Sequence, residues 1–161
     1  MRLAVRAALA TVVLCLPSAG VADPAPGHRG QDRHSAFMRI YGPTLPPFGF
    51  VRFCQSYPRE CALGALHETR FDANMQRMKQ LDAINRHVNH AIEPATDMEI
   101  YGETERWTLP AGGKGDCEDY ALLKRNMLMA RGWPAGSLLM TVVRDEKGEG
   151  HAILTARTAQ G

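Results

Sequence analysis

The stretch "GKGDCEDYALLKR", residues 113–125, sets one cysteine among three carboxylates, Asp116, Glu118 and Asp119. A neighbouring anion raises a thiol pKa and opposes the reactive thiolate, so these are poor surroundings for a bare nucleophile. Two readings stay open. Either the thiol is a small buried apolar group and the acids cap a helix, or a cation compensates the acids. In either reading Asp116 is the expected N-cap, Asp119 stands at N3 as in a capping box, and Cys117 takes the first helical position. Free backbone N–H groups and the helix dipole favour a thiolate there. His151 follows 34 residues later, at the start of a β-rich run. A helix-borne cysteine facing a strand-borne histidine is what a Cys–His nucleophile needs, with the helix-start amides left to receive an oxyanion.

The elements that must position this pair can be read from periodicity. Met75, Met78, Leu81, Ile84, Val88 and Ile92 recur at three- and four-residue steps and predict a long amphipathic helix. Asp72 is its expected cap, Pro94 its expected stop, and the two methionines are expected core filler. His87 and His90 flank this stripe as surface or packing residues. Residues 95–115 read as a loop carrying Trp107, Pro110, Gly112, Gly113 and Gly115 into Cys117, which places Trp107 against the substrate cleft, with ordinary core as the alternative. A second helix runs from Cys117 to about Arg131 and stops at Gly132. "SLLMTVV" (137–143) and "HAILTA" (151–156), joined by the polar turn "RDEKGEG", read as an antiparallel hairpin. The first run is apolar on both faces and is expected inside a sheet.

Composition bounds the rest. The 161 residues open with Arg2 and Arg6, an apolar run from Ala7 to Leu16, and small residues ending at Ala22, the three parts of a secretory signal peptide. Removing residues 1–22 leaves 17 basic and 17 acidic residues, so no basic face argues for nucleic acid or anionic lipid. Residues 23–47 form a polar lead-in, and 48–161 suffice for one domain with one core. After export three cysteines remain. Cys54 and Cys61, seven apart in "FCQSYPREC" with Pro58 between them, are expected to pair in an oxidising compartment and leave Cys117 free. A metal site of these two with His67 fits no common zinc spacing.

Taken together, the run from Trp107 through "GDCEDYA" (115–121) to Lys124, with "GHAIL" (150–154), resembles the bacterial transglutaminase-like cysteine proteinases, a family that includes periplasmic biofilm-releasing proteases. The "INRHVNHAI" and "FCQSYPREC" segments resemble it too. The resemblance implies an α+β, papain-like or transglutaminase-like core with helices packed on an antiparallel sheet. It also implies a Cys–His–Asp triad with Cys117 as nucleophile and His151 as general base, and Ca²⁺ held by Asp116 and Glu118 with help from Asp119. The triad acid would lie on a strand after the histidine strand. The sequence ends at "TARTAQG", in the turn expected before that strand, and neither Asp145 nor Asp119 matches its position, so an incomplete domain is expected. The function implied is an exported, periplasmic thiol peptidase with a protein substrate, such as a large surface adhesin, and a membrane receptor that sequesters it. A cell-wall peptidase of the NlpC/P60 kind is the rival enzyme, although Glu118 stands where that motif has a small or hydroxyl residue. A degenerate, non-catalytic binding domain is the rival outside enzymes.

Overall fold

The computed structural model describes residues 42–62, 70–110 and 112–161. The expected signal segment, most of the lead-in and His67 lie outside the described residues. The elements in order are α1 (Phe48–Ser56), α2 (Pro58–Cys61), α3 (Met75–Ala91), β1 (Glu93–Pro94), α4 (Asp97–Tyr101), β2 (Lys114–Gly115), α5 (Cys117–Met129), β3 (Leu138–Arg144) and β4 (Gly150–Ala156). This is an α+β arrangement, with α5 packed against both α3 and the β3–β4 hairpin.

Helix α3 follows its apolar stripe from the middle onward. Ile84, Val88 and Ile92 are buried, whereas Met75 and Met78 are 72% and 44% exposed, so the first two turns of the stripe are not core filler. Its cap is Asn74, whose side chain accepts from the Arg77 amide at 2.9 Å. Asp72, the expected cap, accepts instead from the Gln160 side chain. The region read as a loop contains α4, closed by a capping box in which Thr96 and Glu99 satisfy one another's backbone N–H groups. The chain then returns so that β2 pairs in parallel with β1.

Helix α5 stops where expected. Gly132 takes the left-handed conformation (φ 77°) and the Trp133 amide reaches back to the Leu128 carbonyl, a glycine-terminated helix end. The hairpin runs in register from Leu138↔Ala156 to Arg144↔Gly150, and Asp145 closes its turn by accepting from the amides of Lys147 and Glu149. Among the described residues β3 pairs only with β4, and Val142 is half exposed, so the interior position expected for this strand is not found.

Two apolar clusters flank α5. One joins Phe71, Val88, Leu128, Trp133 and Leu138, with the Phe71 and Trp133 rings edge to face at 4.4 Å. The other joins Phe53, Trp107, Leu122 and Ala152, with Cys117 packed against it. Cys54 and Cys61 are joined by a disulfide that ties α1 to α2. Buried Arg125 fastens this pair to the hairpin, donating to the carbonyls of Glu60 and Leu138. Helix α1 meets Trp107 closely at Gly49, where an added Cβ would lie 2.3 Å from the indole Cδ1. Gly49→Ala is therefore expected to cost about 1–3 kcal/mol in chemical denaturation, the scale of overpacking a core. Combining it with Trp107→Leu should cost less than the sum of the two single changes, because the smaller side chain relieves the clash.

Candidate active site

Gly115 delivers the site. It is buried at the end of β2, and a Cβ there would stand 2.8 Å from the Cβ of Asp119, so only glycine lets the strand pass this close to the first turn of α5. Asp116 then holds the extended N-cap conformation, but its side chain makes no cap hydrogen bond. The expected capping box is absent because the carboxylates turn inward instead of closing on the helix amides.

Each acid here has one oxygen buried and unpartnered: Asp97 Oδ1, Asp116 Oδ1, Glu118 Oε1 and Asp119 Oδ2. Their other contacts differ. The Arg106 amide donates to Asp97, the Thr108 amide donates to Asp119 at 3.0 Å, and the Cys117 thiol donates to Glu118 at 3.2 Å. Asp97, Asp116 and Glu118 offer oxygens within 4.8 Å of one another. The trio expected from sequence was Asp116, Glu118 and Asp119. In the structure Asp97 joins the first two, while Asp119 is anchored to Thr108 against Gly115. Asp97 escaped sequence reading because it lies 19 residues before Asp116, with no motif linking them. The Thr96–Glu99 capping pattern was the signal that could have placed a helix start there.

Burial sets the electrostatics. It is the largest cause raising the carboxyls of Asp97, Asp116 and Glu118 above their ordinary range, and it lifts Asp119 to about 7. Burial also pushes the Cys117 thiol up to about 11, with Glu118 and Asp116 acting in the same direction. The Ala152 amide, which donates to the Cys117 sulfur at 3.3 Å, offsets only part of this.

Cys117 opens into a cleft of about 800 Å³ whose walls include His151, Asn89, Tyr120 and Lys124. His151 is exposed, and among the described residues its side chain makes no hydrogen bond to Cys117 or to any carboxylate. Asp145 is committed to the hairpin turn. Trp107 does not line this cleft. It is 7% exposed in the cluster behind Cys117, donates to Glu105 at 2.6 Å, and borders a separate hollow of about 250 Å³. The sequence alternative of ordinary core is the one the packing favours, because α1 closes over the indole at Gly49.

The family model described as bacterial transglutaminase-like cysteine proteinase BTLCP matches residues 40–161. The chain belongs to this family. No curated protein matches the chain. Membership makes the α+β arrangement that of the transglutaminase-like class and makes the class of enzyme a cysteine proteinase. Within this proteinase fold, the match spans every element that borders the cleft, from α3 to β4.

The raised Asp119 carboxyl has a consequence for stability. Between its ordinary value of 3.8 and about 7 the folded chain binds a proton that the unfolded chain has released. Its contribution is therefore present at low pH and is lost as pH rises through that window. In chelator-treated protein, stability should fall from pH 4 to pH 7. Asp119→Asn, which keeps an acceptor for the Thr108 amide, should flatten the fall measured by urea denaturation at several pH values.

Proposed function

We propose that this proteinase is an exported thiol peptidase in which Cys117 is the nucleophile and His151 the general base. The observation that carries the assignment is that the Cys117 sulfur, at the first position of α5, takes the Ala152 amide and opens into the cleft that His151 also lines. In the reaction His151 removes the proton from Sγ, and the thiolate attacks the scissile carbonyl carbon to form a C–S bond. The resulting oxyanion lies within reach of free amides at the start of α5. Collapse of this intermediate breaks the C–N bond, and the imidazolium returns the proton to the departing amine. Water then hydrolyses the thioester, with His151 again taking a proton. Closing of the Cys–His hydrogen bond on substrate binding is ordinary for such pairs.

The acids beside Cys117 fit a hard cation. Asp97, Asp116 and Glu118 each have a buried, unpartnered carboxylate oxygen and offer oxygens within 4.8 Å of one another, and oxygen-only donors suit Ca²⁺. These three residues would hold the ion, with Asp119 fixing the helix turn behind them. Bound there, Ca²⁺ would supply the positive charge that offsets the acids' opposition to the thiolate. The basic, apolar and small-residue order of residues 1–22 supports export to the periplasm. The family resemblance supports a large surface adhesin as the protein substrate and a membrane receptor that sequesters the enzyme.

A non-catalytic binding domain is favoured by one observation, the high thiol pKa with His151 unengaged. Alkylation separates the readings. The rate of Cys117 labelling by iodoacetamide at neutral pH should fall on adding chelator and recover with Ca²⁺, by about tenfold for each unit of pKa change. Asp97→Asn should weaken the calcium response at least about tenfold, the scale already seen for residues one shell further from a metal. Cys117→Ser should abolish peptide cleavage. A labelling rate indifferent to calcium would return the acids to a purely structural role.

A further inference from the structure

The cleft has a second charged feature besides the acid cluster. Cys117, Tyr120, Ala121 and Lys124 all line it, and on a helix these positions share one face. Lys124 is half-buried, and burial lowers its pKa. Among the described residues it forms no hydrogen bond or ion pair, and its ammonium only stands 5.8 Å from the centre of the Tyr120 ring. Of the acids that line the cleft and its adjoining hollow, Asp116 stands at the other end of α5, about two turns from Lys124, and the other two are already committed. Asp82 pairs with Arg86, and Glu99 closes the capping box with Thr96. The helix dipole does not account for this cation either, because that field acts within the last turn and Lys124 lies mid-helix. A desolvated ammonium without a counter-charge is costly, and an anion brought by a ligand would satisfy it.

The opposite wall suggests what kind of ligand brings the anion. Asn85 and Asn89 on α3 line the cleft one turn apart, and among the described residues neither side-chain amide is engaged. One turn of helix advances roughly 6 Å, close to the roughly 6.6 Å two-residue repeat of an extended chain. A peptide laid along α3 can therefore offer backbone groups to both amides. Lys124 and Asn85 share one end of the cleft, since both also border an adjoining hollow with Met78, Leu81, Asp82 and Leu128. From Cys117 to Lys124 is seven helical residues, roughly 10 Å along the axis, which an extended peptide covers in about three residues.

Resting on the peptidase reading above, we propose that Lys124 is a specificity-determining residue. It receives the side-chain carboxylate of an Asp or Glu about three residues from the scissile bond, on a peptide held extended by Asn85 and Asn89.

The test uses the full chain with Ca²⁺ and an internally quenched peptide library in which one position at a time is fixed as Glu, Gln or Lys. All peptides are amidated, so no terminal carboxylate can stand in. Expected is a Glu-over-Gln preference in kcat/KM of about tenfold, the scale of one partly desolvated ion pair, confined to a position about three residues from the cut and expressed mainly in KM. In Lys124→Met, which keeps the stem, the ratio should fall to about one. In Lys124→Glu the preference should pass to the Lys-fixed peptides, a reversal that a merely structural lysine would not produce. Should Lys124→Glu not fold, the Met variant decides. A ratio near one in the unmodified chain, or one that survives Lys124→Met, overturns the assignment. Protection of Cys117 from iodoacetamide by the same peptides gives a second readout. A chain that cleaves no peptide sinks the peptidase reading, while Glu-selective protection lost in Lys124→Met still upholds the Lys124 contact, and unselective protection overturns it.

Discussion

Four carboxylates, each with one buried and unpartnered oxygen, stand around the first turn of α5, and the rest of the structure is arranged to hold them there. Helix capping alone does not account for them. An acid near a helix N-terminus gains about 0.3–1 kcal/mol from the dipole, while burying a polar group without a partner costs several times that. The cost is met by neighbours that have little other reason to be where they are. The Arg106 and Thr108 amides each give a hydrogen bond to one acid, and Gly115 removes the Cβ that would otherwise push Asp119 away. The parallel β1–β2 pair brings that glycine to α5, and the capping box of α4 brings Asp97 to the same place. Loss of any one of these would separate the acids before it exposed much apolar surface.

Behind the acids, the two apolar clusters have different tasks. The cluster of Phe71, Val88, Leu128, Trp133 and Leu138 clamps the C-terminal part of α5 between α3 and the hairpin, and Arg77 covers the Phe71 and Trp133 rings from 5.3 and 5.6 Å. The cluster of Phe53, Trp107, Leu122 and Ala152 supports the N-terminal part and includes the back of Cys117. Arg125 joins the two halves, since it is buried yet spends its donors on backbone carbonyls of α2 and β3. A buried guanidinium bonded to carbonyls, with the Glu60 carboxylate acting on it only through space, costs more than an apolar residue would. Its geometric effect is to fix the disulfide-linked α1–α2 pair against the hairpin that carries Ala152.

The sequence revealed strongly periodic elements and missed what depended on long-range approach. Helix α5 and the hairpin were legible because Gly132, the polar turn and the β-rich runs are local signals. The α3 stripe was legible as a helix but not as to which turns are buried. Periodicity marks a face, and only the partner decides how far that face is covered, here over Ile84, Val88 and Ile92. Helix α4 is short, and its capping pattern was passed over in a segment dominated by turn residues. Cys117, His151, Asp116 and Glu118 could be named from two short motifs, one at the start of α5 and one on the strand that packs against it. Asp97 could not, since it reaches the site through the β1–β2 pairing and the start of α4, neither of which the motifs contain. Trp107 was placed by its order in the chain, yet order does not say whether a side chain faces the cleft or the core behind it.

The two charged features of the cleft differ in how they relate to the cysteine. The acids adjoin the sulfur, and together with burial they leave it protonated at neutral pH, with a thiol pKa of about 11. Lys124 is of the opposite sign but lies two helical turns away, with Tyr120 and Ala121 between, and is too far to offset the acids at the sulfur. Within the proposed mechanism the thiol pKa is lowered by a cation on the acid side, where the unpartnered oxygens are, and by the His151 imidazolium, which lines the same cleft. A ligand able to neutralise Lys124 must come along the cleft. The two deficits cannot cancel each other within the chain, because α5 is rigid and fixes their separation. On the proposed reading each is met by a partner of opposite charge, one beside the sulfur and one a few residues along a bound peptide.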